Sequence, residues 1–471
     1  MTSGRTLALR GEQCLRLHPV SFSHVAFIFL LAIVSNVILA AILPKIEPSG
    51  EVTRIAGSIA NGQGFSSPFR KPTGPSAWIP PAYPFLLAGI FRIFGAFTAT
   101  SYWIATAVNI VVHAVACVVL YRAAGETFGQ RVGLYSACAL ASFPLLFYPV
   151  LLLQVLGQME QDALFLLPNL IWYTHFSELA ILLLLWLTLH PPRWIVYGTA
   201  WGVASLFNPS ILALGPAFCG WRFWRRESWR YMSLTIGVAA LCVTPWLVRN
   251  YLVFHRLVFI RDDFGVELRV GNQPGQDGRW DGDVHPSSSD YELSRVVKLG
   301  EVGYAQVAGQ EALYTIRSHP GNFLHSTILR VGYWWIGNPM TSHRLGKLGF
   351  VKHLPQLIFA VLAFYGIGRA LRHRNANALL FVAVLLFYPL IFYITHTFGG
   401  FFYQYPIHPE MLALAVSGIV RADISKRRNS KGVHLMVPAT AGRMGIGQVR
   451  MDNSDMDQTP KRRRQSWRDG R

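Results

Sequence analysis

The chain has 471 residues, 52% of them hydrophobic and only 14% charged, well below the charged share of about one quarter in soluble domains, and its mean hydropathy is positive. This excludes an ordinary soluble domain and predicts an all-α polytopic membrane protein, since a run of about 20 apolar residues in lipid satisfies its backbone only as a helix. The net charge of +19 is concentrated partly in residues 421–471, with 13 Lys and Arg against 5 Asp; with no nucleic-acid module beside it, this reads as a disordered cytoplasmic tail touching anionic membrane lipids, not as a nucleic-acid site.

Residues 1–21 carry Arg5, Arg10 and Arg16 ahead of an apolar run over 22–43. The run exceeds the apolar core of a cleaved leader, so it predicts an uncleaved first span with a cytoplasmic N-terminus. The polar stretch 44–84 then faces outward. Within it Glu51, Arg54, Ile55, Ser58 and Ile59 recur at helical spacing until Asn61-Gly62-Gln63-Gly64, which predicts a short amphipathic helix lying at the interface. Residues 83–95 are apolar around Arg92 and are expected to be partly embedded or to lead into a span at 101–121. A basic-flanked turn over 122–131 precedes a span ending near 149. The stretch 151–167, broken by Gln154, Gln158, Glu160, Gln161 and Asp162, is expected outside as an interfacial or re-entrant piece.

A span over 171–189 contains Glu178, and Pro191-Pro192-Arg193 turns inside. Residues 194–221 split at Asn208-Pro209-Ser210; because Arg222, Arg225, Arg226 and Arg230 belong inside, a hairpin of two short helices is expected. A span over 231–246 returns outward to a small external subdomain at 249–352, with turn signals at Gly271-Asn272-Gln273-Pro274-Gly275 and interfacial Tyr333-Trp334-Trp335. Spans over 354–371 and 379–395, joined by the basic turn 369–374, and a last one at 403–420 bring the total to roughly ten crossings, with every strongly basic connection on one side.

The five cysteines lie singly, with no CxxC, and predict neither disulfides nor a metal site. His285, His319, His325, His343, His353, His396 and His408 are scattered without HExxH or H-x3-H spacing, so the spacing assigns no metal, although distant residues can converge. Gly62-x-Gly64 lacks the strand-turn-helix setting of a dinucleotide site.

An ordered series of short motifs runs through residues 20–420: Glu51 with Ile59-Ala60-Asn61-Gly62-Gln63-Gly64-Phe65, Gly74-Pro75-Ser76-Ala77-Trp78 through Tyr83-Pro84, Phe207-Asn208-Pro209-Ser210, Pro245-Trp246-Leu247-Val248-Arg249-Asn250-Tyr251, Gly271-Asn272, His285-Pro286, Gly300-Glu301 with Tyr304, Glu311-Ala312, and Tyr405-Pro406-Ile407-His408-Pro409. In this order the chain resembles the integral-membrane glycosyltransferases of the GT-C class. The nearest branch is the bacterial family-39-like proteins related to protein O-mannosyltransferases and lipid A aminoarabinose transferases.

The resemblance implies inverting transfer of a sugar from a polyprenyl-phosphate donor on the outer face of a bacterial inner membrane, with the acceptor left open. Such a displacement needs a carboxylate to take the acceptor proton, and positive charge or a divalent metal at the leaving phosphate. Glu51 is the candidate base; its ordinary reading is a helix N-terminal acid favoured by the dipole. Arg54, Arg70, Lys71 and Arg249, expected to emerge on the outer surface, are candidates for the phosphate or else interfacial anchors. Tyr83 belongs to the loop motif, while Asn272, Glu301 and Tyr304 are candidates for a sugar or acceptor pocket or else solvated loop residues.

The chain departs from its relatives in reading Phe402-Tyr403-Gln404-Tyr405-Pro406-Ile407-His408-Pro409 where they carry Arg-Tyr-Arg-x-Pro-Ile-Glu-Pro. His408 is a candidate cation there, or a satisfied interface histidine. Tyr173 stands where a second acid is expected, with Glu160, Asp162 and Glu178 nearby. Two other readings stay open: a transporter or lipid flippase, against which stand the single broken hairpin and the lack of repeated halves, and a non-catalytic GT-C relative.

Overall fold

The computed structural model describes residues 22–42, 50–146, 171–337, 354–397 and 403–420. The expectations for residues 1–21, 151–167 and 421–471 lie outside the described residues. Among the described residues every regular element is a helix, and β pairing is confined to the single bridges Ser66–Pro75 and Arg279–Thr397.

The first helix, α1 (Phe22–Ile42), buries Ile28, Ala32, Ser35, Asn36 and Leu39 along one stripe and leaves Phe27, Leu30, Val34 and Ile38 exposed. An apolar face left open in this way is what lipid accommodates and water does not. Next, α2 (Glu51–Ala60) opens on its acid and stops at Asn61, with Gly62 and Gly64 at positive φ turning the chain away. It packs on α3 (Ala82–Phe94). Thr98 caps α4 (Ala99–Phe128) by accepting from the Ser101 N–H, and α5 (Gln130–Leu146) follows.

The turn expected over 122–131 is mostly helix. Ala123, Ala124 and Gly125 are small and buried, so α4 continues against α5 and breaks only at Gly129, with φ +111. A Cβ at Gly133 would lie 2.5 Å from the Tyr121 carbonyl, which keeps the two helices close.

Helix α6 (Thr174–Leu189) leads to α7 (Trp194–Phe207), which breaks at Asn208-Pro209 into a 3-10 turn and α8 (Gly215–Trp224). Pro209 lacks an N–H, and the Asn208 side chain accepts from the Ser210 N–H at 3.0 Å, so the split is written in the sequence. Helix α9 (Trp229–Phe254) passes through Pro245 and ends at His255 in the left-handed region. The span expected to stop at 246 is therefore two turns longer, and Arg249 lies inside a helix.

The long polar segment forms α10 (Phe264–Val270), α11 (Asp290–Leu299), α12 (Glu301–Ser318) and α13 (Pro320–Ile336). The chain closes with α14 (Leu354–Arg372), α15 (Ala378–Phe387), α16 (Leu390–Ile394) and α17 (His408–Ile419). Four described helices, α1, α4, α9 and α14, are long and apolar enough to cross a membrane; α3, α6, α7 and the α15–α16 pair are apolar but shorter. Of the roughly ten crossings expected, the described residues hold four helices long enough to cross and four shorter apolar segments.

The described residues form two apolar cores. One joins α1, α4 to α8, α14, α15 and α17. The other joins α2, the 65–79 loop and α3 to Trp246 of α9 and to α10, α11 and α12. The loop after α2 and the distant 260–308 segment therefore fold as one body.

Close approach is strongest where α14 meets α17: a Cβ at Gly366 would sit 1.9 Å from the Leu414 carbonyl oxygen, whereas nothing lies within 4 Å of one at Gly368. Gly366→Leu is expected to lower the thermal midpoint in detergent by an overpacking cost of roughly 1–3 kcal/mol or more. Gly368→Leu on the same helix should leave it unchanged or raise it. Equal midpoints for the two variants would refute the close contact.

Candidate active site

Residues 65–79 are held from outside as well as within. Ser76 N–H donates to the Phe65 carbonyl and Ser67 N–H to the Gly74 carbonyl, closing the loop on itself. The Glu301 carboxylate accepts from the Ala77 N–H at 2.6 Å, Asp262 N–H donates to the Ala77 carbonyl, and Arg261 Nε donates to the Trp78 carbonyl at 3.1 Å. Burial raises both the Asp262 and Glu301 carboxyls, and Asp262 adds to the rise at Glu301.

Within this frame Glu51 stands at the N-terminus of α2, partly exposed, with Arg54 one turn on. Burial, and then the charge of Glu267 from α10, push its carboxyl from the ordinary 4.5 to about 7, against weaker opposing pulls from its own backbone, Arg261 and Arg54. Glu267 itself meets His396 Nε2 at 2.5 Å. Although burial opposes ionisation, His396, His285 and Arg261 hold the Glu267 carboxyl well below its usual range. Burial opposes the charge of Arg261, but its ion pair with Asp263, together with Tyr173, Glu267 and Tyr403, raises the guanidinium. His285 is buried against Trp78 and Trp280, with ring centroids 5.7 and 5.6 Å away, and burial lowers it to about 4. Tyr403 lies 5.7 Å from the His396 ring. Glu51 thus feels the charges of Glu267, Arg261 and Arg54, and Glu267 is paired with His396.

The other candidates from the sequence lie elsewhere. Arg249, expected at the surface, is half-buried in α9: its Nη1 donates to the Ser76 carbonyl at 2.7 Å and its Nη2 to the Phe65 carbonyl at 2.9 Å, with the guanidinium 4.9 Å from the Trp246 ring. Its fork is spent on the loop. Arg70 donates to the Ser288 carbonyl and pairs with Asp290 at 3.2 Å, while Lys71 is exposed. Tyr83 is buried and donates to Asn109 at 3.2 Å. Asn272 ties α10 to α16 by donating to the Leu268 and Ile394 carbonyls while accepting from Arg330 at 2.6 Å. Tyr304, far from solvated, is buried between Arg269 and Glu292. His408 is buried between Phe143 and Phe359, with centroids at 5.2 and 5.5 Å; it lies inside the helical core and not at an interface.

Sequence reasoning missed Arg261, Asp263 and Glu267. The run Arg261-Asp262-Asp263, following an apolar Leu257-Val258-Phe259-Ile260, was the available signal. For Glu267 and His396, 129 residues apart, there was none.

Arg249→Lys keeps the charge but cannot span two carbonyls 11 residues apart in the chain. It is expected to raise KM about tenfold and lower stability by roughly 1–2 kcal/mol while changing kcat little, since it supports the loop and not the reacting atoms. A fall in kcat alone would contradict this bracing role.

The profile of the family described as dolichyl-phosphate-mannose-protein mannosyltransferase matches residues 79–248. Over that segment the chain is similar to this family. The matched segment runs from the end of the loop through most of α9 and holds Tyr83; Glu51, Arg249 and the α10 residues fall outside it. No curated protein matches the chain. Among solved structures, the Archaeoglobus fulgidus oligosaccharyltransferase in complex with zinc and sulfate has a TM-score of 0.47 at 13% identity, covering 86% of this chain and 50% of that one. Its complex, as AglB, with an inhibitory peptide and a dolichol-phosphate has a TM-score of 0.46 at 13% identity, covering 89% and 52%. ArnT from Cupriavidus metallidurans bound to undecaprenyl phosphate has a TM-score of 0.35 at 14% identity, covering 88% and 81%. The chain spans about half the length of the oligosaccharyltransferases it matches.

Proposed function

We propose that this protein transfers a sugar from a polyprenyl-phosphate-linked donor to an acceptor hydroxyl at the outer, periplasmic face of a bacterial inner membrane, with inversion at the anomeric carbon and Glu51 as base. The observation that carries it is the Glu51 cluster: a carboxyl brought to about 7 beside Arg54 and Arg261. General-base catalysis works best when the base titrates near the working pH, and a like charge next to a partly buried carboxyl is one way to put it there.

In the displacement the acceptor oxygen bonds to the anomeric carbon as the carbon–oxygen bond to phosphate breaks. The electron pair leaves on the polyprenyl phosphate, and the acceptor proton passes to Glu51. Arg54, whose side chain has no ion-pair partner among the described residues, and Arg261 are the guanidinium groups set to take the leaving charge, since Arg249 is engaged with the loop carbonyls. Glu267, fixed by His396, sets the basicity of Glu51.

One observation favours a non-catalytic relative. Gln404 donates to the Trp334 carbonyl at 3.0 Å and His408 is enclosed by aromatic rings, so this segment brings no guanidinium to a phosphate. Incubating the purified protein with a panel of radiolabelled polyprenyl-phosphate sugars separates the two readings. Release of free polyprenyl phosphate by the wild type, and its loss in Glu51→Gln, is expected. No turnover of any donor would leave the non-catalytic reading standing.

A further inference from the structure

The reaction proposed above leaves unused a set of titratable side chains within the helical core. His113 from α4 and His175 and Glu178 from the first turns of α6 are all buried, and one ligand atom from each lies within 4.8 Å of the others. Both imidazoles bring Nδ1 to the same carboxylate oxygen: His113 lies 2.9 Å and His175 3.3 Å from Glu178 Oε2. The other oxygen, Oε1, is buried with no partner, and so is the Tyr405 hydroxyl, whose ring centroid is 5.3 Å from that of His175.

An ordinary histidine–carboxylate network distributes its donors over both carboxylate oxygens, because a buried acceptor left bare is costly. Here two donors crowd one oxygen and the second goes unserved. The separations are close to those between neighbouring ligands around a small tetrahedral cation, whose bonds to nitrogen and oxygen are about 2.0–2.2 Å. The outward nitrogen of His113, Nε2, is 3.6 Å from Cys117 Sγ one turn along α4. That is the arrangement by which a partner to the second ring nitrogen fixes the orientation of a ligating imidazole. The Glu178 carboxylate brings a negative charge to the site, and Glu410 of α17 is buried with both oxygens unpartnered.

We infer that His113, His175 and Glu178 form a divalent transition-metal site of the zinc class, clipping α4 to α6 within the bundle. It shares no residue with the Glu51 cluster, and its existence does not depend on sugar transfer. The ligand set, two imidazoles and a carboxylate, suits zinc or cobalt better than magnesium or calcium, which prefer all-oxygen shells.

The test uses the full chain carrying an affinity tag without histidines, purified in detergent, equilibrated with zinc chloride and desalted over chelating resin. Metal content is read by mass spectrometry and the ligand shell by zinc-edge X-ray absorption. The wild type should retain about one zinc per chain, with two imidazoles and oxygen but no sulfur in the first shell. His175→Gln and Glu178→Gln should lose at least about tenfold of it, and Cys117→Ser should weaken affinity about 10- to 100-fold. Glu51→Gln should keep the zinc whether or not it transfers sugar, so loss of activity and loss of metal read out separately. Background zinc in the wild type, retention by Glu178→Gln, or loss in Glu51→Gln would each overturn the site. Should the bundle variants fail to fold, the wild-type spectrum still decides, since a shell without two imidazoles refutes it.

Discussion

Glu51→Gln is expected to cost transfer activity about 10²- to 10⁴-fold, the usual worth of a positioned base, while making the protein more stable above neutral pH. Both effects come from the same environment. The carboxyl titrates near 4.5 in an unfolded chain and near 7 in the folded one, so folding holds its proton more tightly. Below about pH 4 both states are protonated and the residue is neutral for stability. As pH rises from there through 7 the unfolded chain ionises first, and native stability falls by an amount on the order of 2 kcal/mol, complete above about pH 8. Glutamine removes that loss. The unfolding midpoints of wild type and variant should therefore coincide at pH 4 and diverge by pH 8, with the variant higher.

The pH profile of kcat/KM adds a second constraint. The wild-type rate should climb with a midpoint near 7 on the acid side as the base loses its proton, and Glu267→Gln should shift that midpoint down by removing the neighbouring negative charge. A profile flat from pH 5 to 8, or a Glu51→Gln enzyme less stable than wild type at pH 8, would mean that this carboxyl is an ordinary solvated helix cap.

How far the residues alone disclose this arrangement depends on whether each signal was local. Helical architecture, the start and stop of α2, and the break at Asn208-Pro209 were legible because apolar runs, Gly-rich stops and a missing proline N–H act within a few residues of where they stand. The ends of α4 and α9 were not. Arg122 and the Pro245-Trp246 pair look like termini, yet small buried residues carried α4 onward and contacts of Trp246 and Arg249 with the 65–79 loop carried α9. In the candidate site the split is sharper. Glu51 was readable from its place ahead of an amphipathic run. The groups argued to tune it, Glu267, Arg261 and His396, arrive from α10, from the segment just before it and from the chain after α16, and no spacing rule joins positions more than a hundred residues apart. Arg249 misled for the reason that exposed-looking cations often do: its value lies in a rigid fork that finds two backbone carbonyls, and such acceptors leave no mark in a sequence.

The support beneath the site should fail most visibly at Arg269. Its guanidinium is buried in α10 and donates to Glu311 at 2.7 Å, Glu292 at 2.7 Å, the Tyr304 hydroxyl at 2.8 Å and the Val284 carbonyl at 2.9 Å. Tyr304 donates in turn to Glu292 at 2.7 Å, and Arg295 reaches both Glu292 and Glu311 from the rim. Arg269→Met fills the space but leaves the buried Glu292 carboxylate with only Arg295 and the Tyr304 hydroxyl, a loss expected at about 3 kcal/mol because a buried charge loses its closest cation and not merely one hydrogen bond. Glu292→Gln in the Arg269→Met background should recover part of it, so the double variant should lose less than the sum of the singles. Arg269→Lys should fall between, keeping charge without the fork. Because Glu267 precedes Arg269 by two residues on the same short helix, loosening α10 should also release Glu51 from its neighbour and move the acid limb of the rate profile toward 4.5. Unfolding in detergent gives the first quantity and the pH profile the second. A variant within about 0.5 kcal/mol of wild type, the range of surface substitutions far from such networks, would show that the α10–α12 unit is held by its apolar core and that the ion network is incidental to the position of Glu267.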